Sequence, residues 1–362
     1  MSIYSRAVKN IDGKLLFLTC TLFIFSLITL WSASGSDWNL IASQLRSFGV
    51  ALTVMYVVAN LPPHYIKVAS APLYLGTLVL LGFTELVGYQ VKGAQRWLDL
   101  YFIRIQPSEL MKIALPLMLA WYLDRYERIL KIKNYFVAAI LILIPLALIL
   151  KQPDLGTAIL VFMSGFFVLF FSGLSVRVFA FCATLFLLVA PFFWTVLHPY
   201  QQNRILTLLN PSADPLGAGY QSIQSTIAIG SGGLMGKGWL EGTQSRLNFL
   251  PEGTTDFIFA VVGEEFGFVG GLVLLWIYSL LIARGLKIAA NAPTMFSRLV
   301  AVSIPLTICI YIFVNIGMVV GILPVVGVPL PLLSFGGTSA VTILFGIGVL
   351  MNVQSNRRLV QT

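Results

Sequence analysis

The chain is short of charge. Asp, Glu, Lys and Arg make up only 10% of its 362 residues, against about 25% in soluble domains. Histidine is scarcer still: His64 and His198 are far apart, and no HExxH pattern occurs, which excludes a zinc hydrolase of that kind. The three cysteines, Cys20, Cys182 and Cys309, all fall inside apolar runs, so neither a disulfide framework nor a cysteine metal site is spelled out. A phosphate loop is missing too. Residues 228–238, rich in glycine, imitate one, but Gly236-Lys237 is followed by Gly238 where Ser or Thr is required. That stretch reads instead as a tight turn needing positive φ. Nothing points to nucleotide or nucleic acid. What is abundant is apolar: 58% of residues are hydrophobic, and the mean hydropathy is +0.89. Such a chain is expected to be an all-α, polytopic membrane protein, because long apolar segments in lipid must satisfy their own backbone. It is expected to form one integral membrane domain, 1–362.

Apolar stretches of spanning length fall at 15–34, 45–61, 71–88, 108–123, 135–150, 155–173, 178–197, 257–283, 299–322 and 339–353. About ten transmembrane helices are therefore predicted, with both termini on one side. The formal net charge is +9. With the termini inside, Arg6, Lys9, Lys14, Lys67, Arg125, Lys131, Arg284 and Arg298 all fall on the inner side, so both termini are placed in the cytoplasm. The N-terminal run from Leu15 is too long for a signal-peptide core and reads as a retained span. Segments 89–107, 151–154, 198–256 and 323–338 then share the outer face. They hold most of the polar complexity, and 198–256 is the one large extracytoplasmic loop, expected to be ordered by its apolar anchors.

Each polar motif has a structural and a functional reading. Asp256 enters a long apolar run from a polar loop. It suits a helix N-cap, or a base at the lipid–water boundary able to take a proton from a substrate. Glu264 and Glu265 follow, about 12 and 13.5 Å further along if one helix runs through. Charge at mid-bilayer is costly, so both must face protein or water, as a structural anchor. In Gln106-Pro107-Ser108-Glu109-Leu110-Met111-Lys112, Ser108 suits a cap, and Glu109 and Lys112 share a helix face and can pair. Lys112 then offers charge to a phosphate, or is only an anchor. Gln152-Pro153-Asp154 breaks the chain, and Asp154 suits the cap of the next helix. Arg96 beside Trp97 fits either a membrane-interface anchor or, with Arg204, a phosphate contact. Gly327–Ser339 is a broken Gly/Pro segment suited to lining a cleft or a transport path.

Taken together, these motifs resemble the SEDS family, in its RodA branch. The resemblance rests on GAQRW at 93–97, QPSExxK at 106–112, QPDLGTA at 152–158, NPxxDPxGxGYQ at 210–221, AIGSGG at 228–233, GTQxxLxFLPExxTDFIFAxxxEExG at 242–267 and GxxLPxxSxGGTS at 327–339. One departure is visible: Thr254 stands where the family commonly has histidine.

The resemblance implies a peptidoglycan glycosyltransferase that polymerises lipid II on the outer face of the cytoplasmic (inner) membrane during cell elongation. It implies Asp256 as the essential carboxylate, with Glu109, Lys112, Asp154 and Thr255 in support. Gln95, Arg96, Trp97, Gln152, Arg204 and Ser334 are the expected substrate contacts. A divalent cation, Mg2+ or Mn2+, is an expected aid, with no nucleotide. A class B penicillin-binding transpeptidase and other elongation-complex membrane proteins are the expected partners. Two other readings stand beside this one. A lipid II flippase would need a polar path to mid-bilayer, and a non-catalytic scaffold activating a penicillin-binding protein would not need Asp256.

Overall fold

The computed structural model describes residues 10–356, apart from 92–93, 100–103, 128–129, 182–183, 186–187, 189–198, 216, 218, 248 and 251. Cys182, His198 and most of the expected span at 178–197 lie outside the described residues.

The apolar runs fold as helices: α1 Gly13–Ala33, α2 Trp38–Asn60, α3 Pro63–Val87, α4 Pro107–Asp124, α5 Ile132–Lys151 and α6 Leu155–Phe171. After them come α7 Pro199–Leu209, α8 Tyr220–Gly232, α9 Thr243–Arg246, α10 Ile258–Glu265, α11 Gly267–Ala290, α12 Met295–Val319 and α13 Gly337–Asn356. Among the described residues, seven of these (α1, α2, α3, α5, α11, α12 and α13) are long and apolar enough to cross a membrane. The ten expected spans are thus not all matched. Helix α6 has 17 residues, and the 18-residue α4 carries Glu109, Lys112 and Asp124.

Two expectations need correction. The chain is not all-α: β1 Tyr89–Val91, β2 Ala94–Asp99 and β3 Arg104–Ile105 form a small antiparallel sheet in the order β1-β2-β3. Tyr89 faces Trp97, Gln90 faces Gln95, and Asp99 faces Arg104. The segment is too polar for the bilayer, and strand pairing satisfies its backbone instead.

The second correction concerns the expected continuous run at 257–283. It breaks at Phe266–Gly267 into α10 and α11. Gly267 has φ +65°, and a Cβ there would stand 2.3 Å from the Gly236 nitrogen. The glycine-rich stretch after α8 satisfies both broken ends. Lys237 N and Gly238 N donate to the Glu264 and Glu265 carbonyls, while Phe268 N and Val269 N donate to those of Gly233 and Leu234. These are the groups that a helix end leaves without partners. Gly233, Gly236 and Gly238 all have positive φ, as expected of this stretch.

Helices α12 and α13 form the centre, and α12 packs on α4, α6, α11 and α13. The first and last described residues gather at one end of the bundle. There Arg284 pairs with Asp12, Lys67 with Asp124 at 2.5 Å, and Asn10 with Asn60, while Asn352 donates to the Val58 and Ala59 carbonyls. Asp12 and Asp124 also cap helices, accepting from Leu15 N and Phe296 N. The opposite end carries the sheet and the polar motifs.

Candidate active site

Asp256 lies at the bottom of a re-entrant turn. A helix advances about 1.5 Å per residue, so side-chain contacts to long helices fix depth. Ser32, beside the end of α1, donates to Glu265 Oε1, which puts the top of α10 level with that helix end. Ser26, about two turns lower, donates to the Leu333 carbonyl at 2.6 Å. Next to Leu333, Ser334 Oγ donates to the Thr255 carbonyl at 2.6 Å, and Phe335 N donates to Thr254 O at 2.9 Å. The chain therefore descends to Asp256, climbs through α10 and turns at Gly267 before crossing as α11. Glu264 and Glu265 lie nearer the bundle end than Asp256 does, the reverse of the order expected from one continuous helix.

Two irregular segments, 252–257 and 323–336, meet here. Glu252 and Leu332 hold φ of +58° and +60°, a conformation costly for residues with side chains and concentrated at functional sites. Asp256 itself is half-buried. Its carboxylate lies against Gly327, where a Cβ would stand 3.4 Å from Oδ2. It is not an N-cap: that position falls to Phe257, with no side-chain capping bond. Thr255 faces back, its Oγ1 donating to Glu252 Oε2 at 2.9 Å.

Glu109 and Lys112 are both buried in the first turns of α4. Lys112 Nζ donates to Glu109 Oε1 at 2.5 Å and to the Tyr311 hydroxyl, and stands 4.5 Å from the centre of that ring. The Tyr311 hydroxyl and Thr342 Oγ1 each lie 3.4 Å from Glu109 Oε2. Ser108 is buried without capping the helix, whose N-cap is Gln106. Lys112 and Tyr311 open onto a small groove of about 40 Å³ between α4, α12 and α13, lined by Ser303, Thr307 and Thr342 and by apolar Ile113, Ile304 and Ile308.

The other expected residues brace this centre. Buried Asp154 caps α6 through Thr157 N at 3.1 Å, takes a bond from Gln106 at 3.2 Å and has Arg96 Nε 3.8 Å away. Arg96 also donates to the Pro153 carbonyl at 2.5 Å. Gln152 is buried and donates to the Leu81 carbonyl at 3.1 Å. Gly156 lets α6 approach the 326–328 backbone: a Cβ would stand 2.7 Å from Val326 O. Arg204 Nη1 donates to Val325 O at 2.6 Å. Gln95 and Trp97 lie on β2, at the sheet. The motifs at 106–112, 152–158, 252–256 and 325–334 thus converge. Tyr311, Asn315 and Thr342 join them without any signal in the sequence beyond a polar residue in an apolar run.

Near the end of the bundle, buried Glu264 accepts from Lys237 Nζ at 2.7 Å, Thr243 N at 2.8 Å and Gln244 N at 3.0 Å. Burial alone would raise its pKa, but Lys237 and these donors bring it below the usual carboxylate value. Glu265 moves the other way: burial, with Glu264 adjacent, raises it despite the Ser32 bond. The two have opposite linkage. Glu264 stabilises the fold above the unfolded carboxylate pKa, and this is lost as pH falls through its lower folded value. Glu265 favours the fold when protonated, and this is lost as pH rises through its raised value. Glu265→Gln is therefore expected to raise the unfolding temperature above that value and Glu264→Gln to lower it at neutral pH. Thermal unfolding in detergent across pH measures both, and equal shifts of one sign would refute the assignment.

Fold and site together define a multi-pass helical membrane protein with a carboxylate held in a re-entrant crevice. The model of the cell cycle protein family that includes FtsW, RodA and SpoVE matches residues 11–359, and the chain belongs to this family. It is 49% identical over 351 residues to peptidoglycan glycosyltransferase MrdB of Escherichia coli K12, covering 97% of this chain and 95% of that one. It is 37% identical to stage V sporulation protein E of Bacillus subtilis, over 96% of this chain and 98% of that one. Among solved structures, a chain from a peptidoglycan synthase complex that coordinates polymerisation and crosslinking superposes with a TM-score of 0.82 at 36% identity, covering 96% of this chain and 98% of that one. The crystal structure of the rod shape determining protein RodA of Thermus thermophilus gives 0.73 at 31%, covering 96% and 97%.

Proposed function

We propose that this protein polymerises lipid II into β-1,4-linked glycan at the outer face of the cytoplasmic membrane, with Asp256 as general base. It is a peptidoglycan glycosyltransferase, in keeping with its near-full-length likeness to MrdB. The observation that carries the base role is the place of Asp256: half-buried, below the helix ends, between two irregular segments. The Asp256 carboxylate takes the proton from the acceptor sugar's 4-hydroxyl as that oxygen attacks the donor's anomeric carbon. The polyprenyl pyrophosphate leaves from the opposite face, so an α-linked donor gives a β product. Breaking the activated bond between the donor's anomeric carbon and the pyrophosphate oxygen drives the reaction without ATP. General-base help supplies about 10²–10⁴-fold. The remainder comes from alignment and from stabilising the leaving charge.

Lys112 is the cation nearest the groove, but Glu109 already meets its charge. An incoming pyrophosphate has to compete with that carboxylate. Arg96 and Arg204 are engaged with backbone carbonyls and serve the leaving group by holding loop 151–154 and segment 323–336 in place. The groove between α4, α12 and α13 is small but mostly apolar, and the polyprenyl tail lies against its mouth. Among the described residues, no three His, Cys, Asp or Glu side chains cluster to hold a metal ion. A protein-built divalent-cation site does not fit them, and no step above runs through one. The basic end of the bundle lies in the cytoplasm, by the excess of Lys and Arg there. The partner is a class B penicillin-binding transpeptidase within the cell-elongation complex, in line with the synthase complex that the fold resembles.

The groove reaches toward mid-bilayer, which keeps a flippase in play as the second reading. Purified protein in detergent, with fluorescent lipid II and no bilayer to cross, separates the readings. Glycan polymer is expected; a preparation that binds lipid II and makes none leaves a transporter or a scaffold.

A further inference from the structure

The polar atoms around Asp256 hold its backbone on both sides. Ser334 Oγ donates to the carbonyl before it, that of Thr255, at 2.6 Å. Asn315, fully buried on α12, donates from Nδ2 to the Asp256 carbonyl at 2.8 Å and to the Val328 carbonyl at 2.7 Å. An amide nitrogen has two hydrogens, and both are used here. The reverse orientation would set Oδ1 against two carbonyl oxygens, so chemistry fixes which way the amide points. Its Oδ1 is buried with no hydrogen-bond partner among the described residues. A buried unmatched acceptor is costly. Packing alone would be met more cheaply by an apolar side chain of this size.

The two carbonyls belong to the two segments that form the crevice. Gly327, next to Val328, is the residue against which the Asp256 carboxylate lies. One amide therefore sets the distance between the base and the wall facing it. We propose that Asn315 is a positioning residue for Asp256: its bridge between the Asp256 and Val328 carbonyls holds the carboxylate at the angle from which it reaches the acceptor hydroxyl. This rests on the base role of Asp256. A residue of this kind acts on the reacting geometry and not on substrate affinity, and small misplacements of a base have large effects on turnover.

The test compares Asn315→Leu, of the same branched shape but without donors, with Asn315→Gln, which keeps the amide. Asn315→Ala is the milder substitution should Leu overpack. Each purified variant is assayed for lipid II polymerisation, lipid II binding and thermal unfolding. Asn315→Leu or Asn315→Ala is expected to lower kcat about tenfold or more while KM stays within about twofold. Asn315→Gln is expected to recover part of that loss. Wild-type kcat in the Leu variant, a loss that appears in KM and binding instead, or a Gln variant no better than Leu overturns the proposal. So does failure of both Leu and Ala variants to fold, which would make Asn315 a structural residue. Asp256→Asn, run in parallel, separates the two claims. If it polymerises at the wild-type rate, the base role fails; if it is inert while Asn315→Leu is fully active, only the bridge fails.

Discussion

Asp256→Asn is expected to lower glycan polymerisation by about 10²–10⁴-fold, the usual worth of a general base, while lipid II still binds. The substitution is nearly isosteric. The bonds that shape the crevice at this residue run through backbone, from Asn315 to the Asp256 carbonyl and from Ser334 to the Thr255 carbonyl. Those backbone bonds survive the substitution, and the capacity to take a proton is lost. Asp256→Glu is expected to be impaired as well. An added methylene beside Gly327 displaces the carboxylate in a site whose walls are fixed. Polymer length and initial rate, measured with purified protein and fluorescent lipid II, check both. An Asn variant that polymerises normally removes the proton-transfer role, whatever its effect in cells.

The second large effect concerns the buried pair. Lys112→Ala leaves Glu109 enclosed with, among the described residues, the Tyr311 and Thr342 hydroxyls as its remaining hydrogen-bonding side chains. Breaking a buried ion pair from one side costs about 3–5 kcal/mol, because the remaining charge has no counterpart. A marked fall in unfolding temperature and in yield is expected. The double variant Glu109→Gln, Lys112→Met removes both charges and is expected to regain most of that stability. Its activity is the decisive reading. If the positive head group serves the leaving pyrophosphate, the double variant folds but stays far below wild type. If it polymerises normally, the pair is an anchor and the phosphate role falls.

Hydropathy made most of the bundle legible, since α1, α2, α3, α5, α12 and α13 overlap the expected apolar runs. It failed where composition and backbone disagree. Residues 257–283 are apolar almost throughout, so periodicity reads them as one span. The break at Gly267 depends on partners thirty residues earlier, whose amides and carbonyls complete both helix ends. The adjacent Glu264 and Glu265 were the local sign, because two carboxylates in sequence fit a helix end in polar surroundings better than mid-bilayer. The sheet at 89–105 was missed for a different reason: short strands with little apolar alternation leave a weak pattern. At the site, the i, i+3 pairing of Glu109 with Lys112 followed from helix geometry, and the Asp154 cap from local chain chemistry. Tyr311, Thr342 and Asn315 could not be found that way. Glu109 and Asp256, which they meet, lie far off in the chain, and a lone polar residue in an apolar helix does not announce what it touches.

Serine contacts from α1 bear on how the molecule is made. Ser26 bonds Leu333, and Ser32 bonds Glu265, across 307 and 233 positions of chain. Helix α1 is made long before Glu265 and Leu333, and its polar face is matched only once they have followed. Contacts of such long range form slowly, so the crevice is completed at the end of biogenesis. A nascent chain cut off before α10 would lack both partners and leave those hydroxyls open to lipid or to quality-control proteases, and the cell would be spared a half-built polymerase.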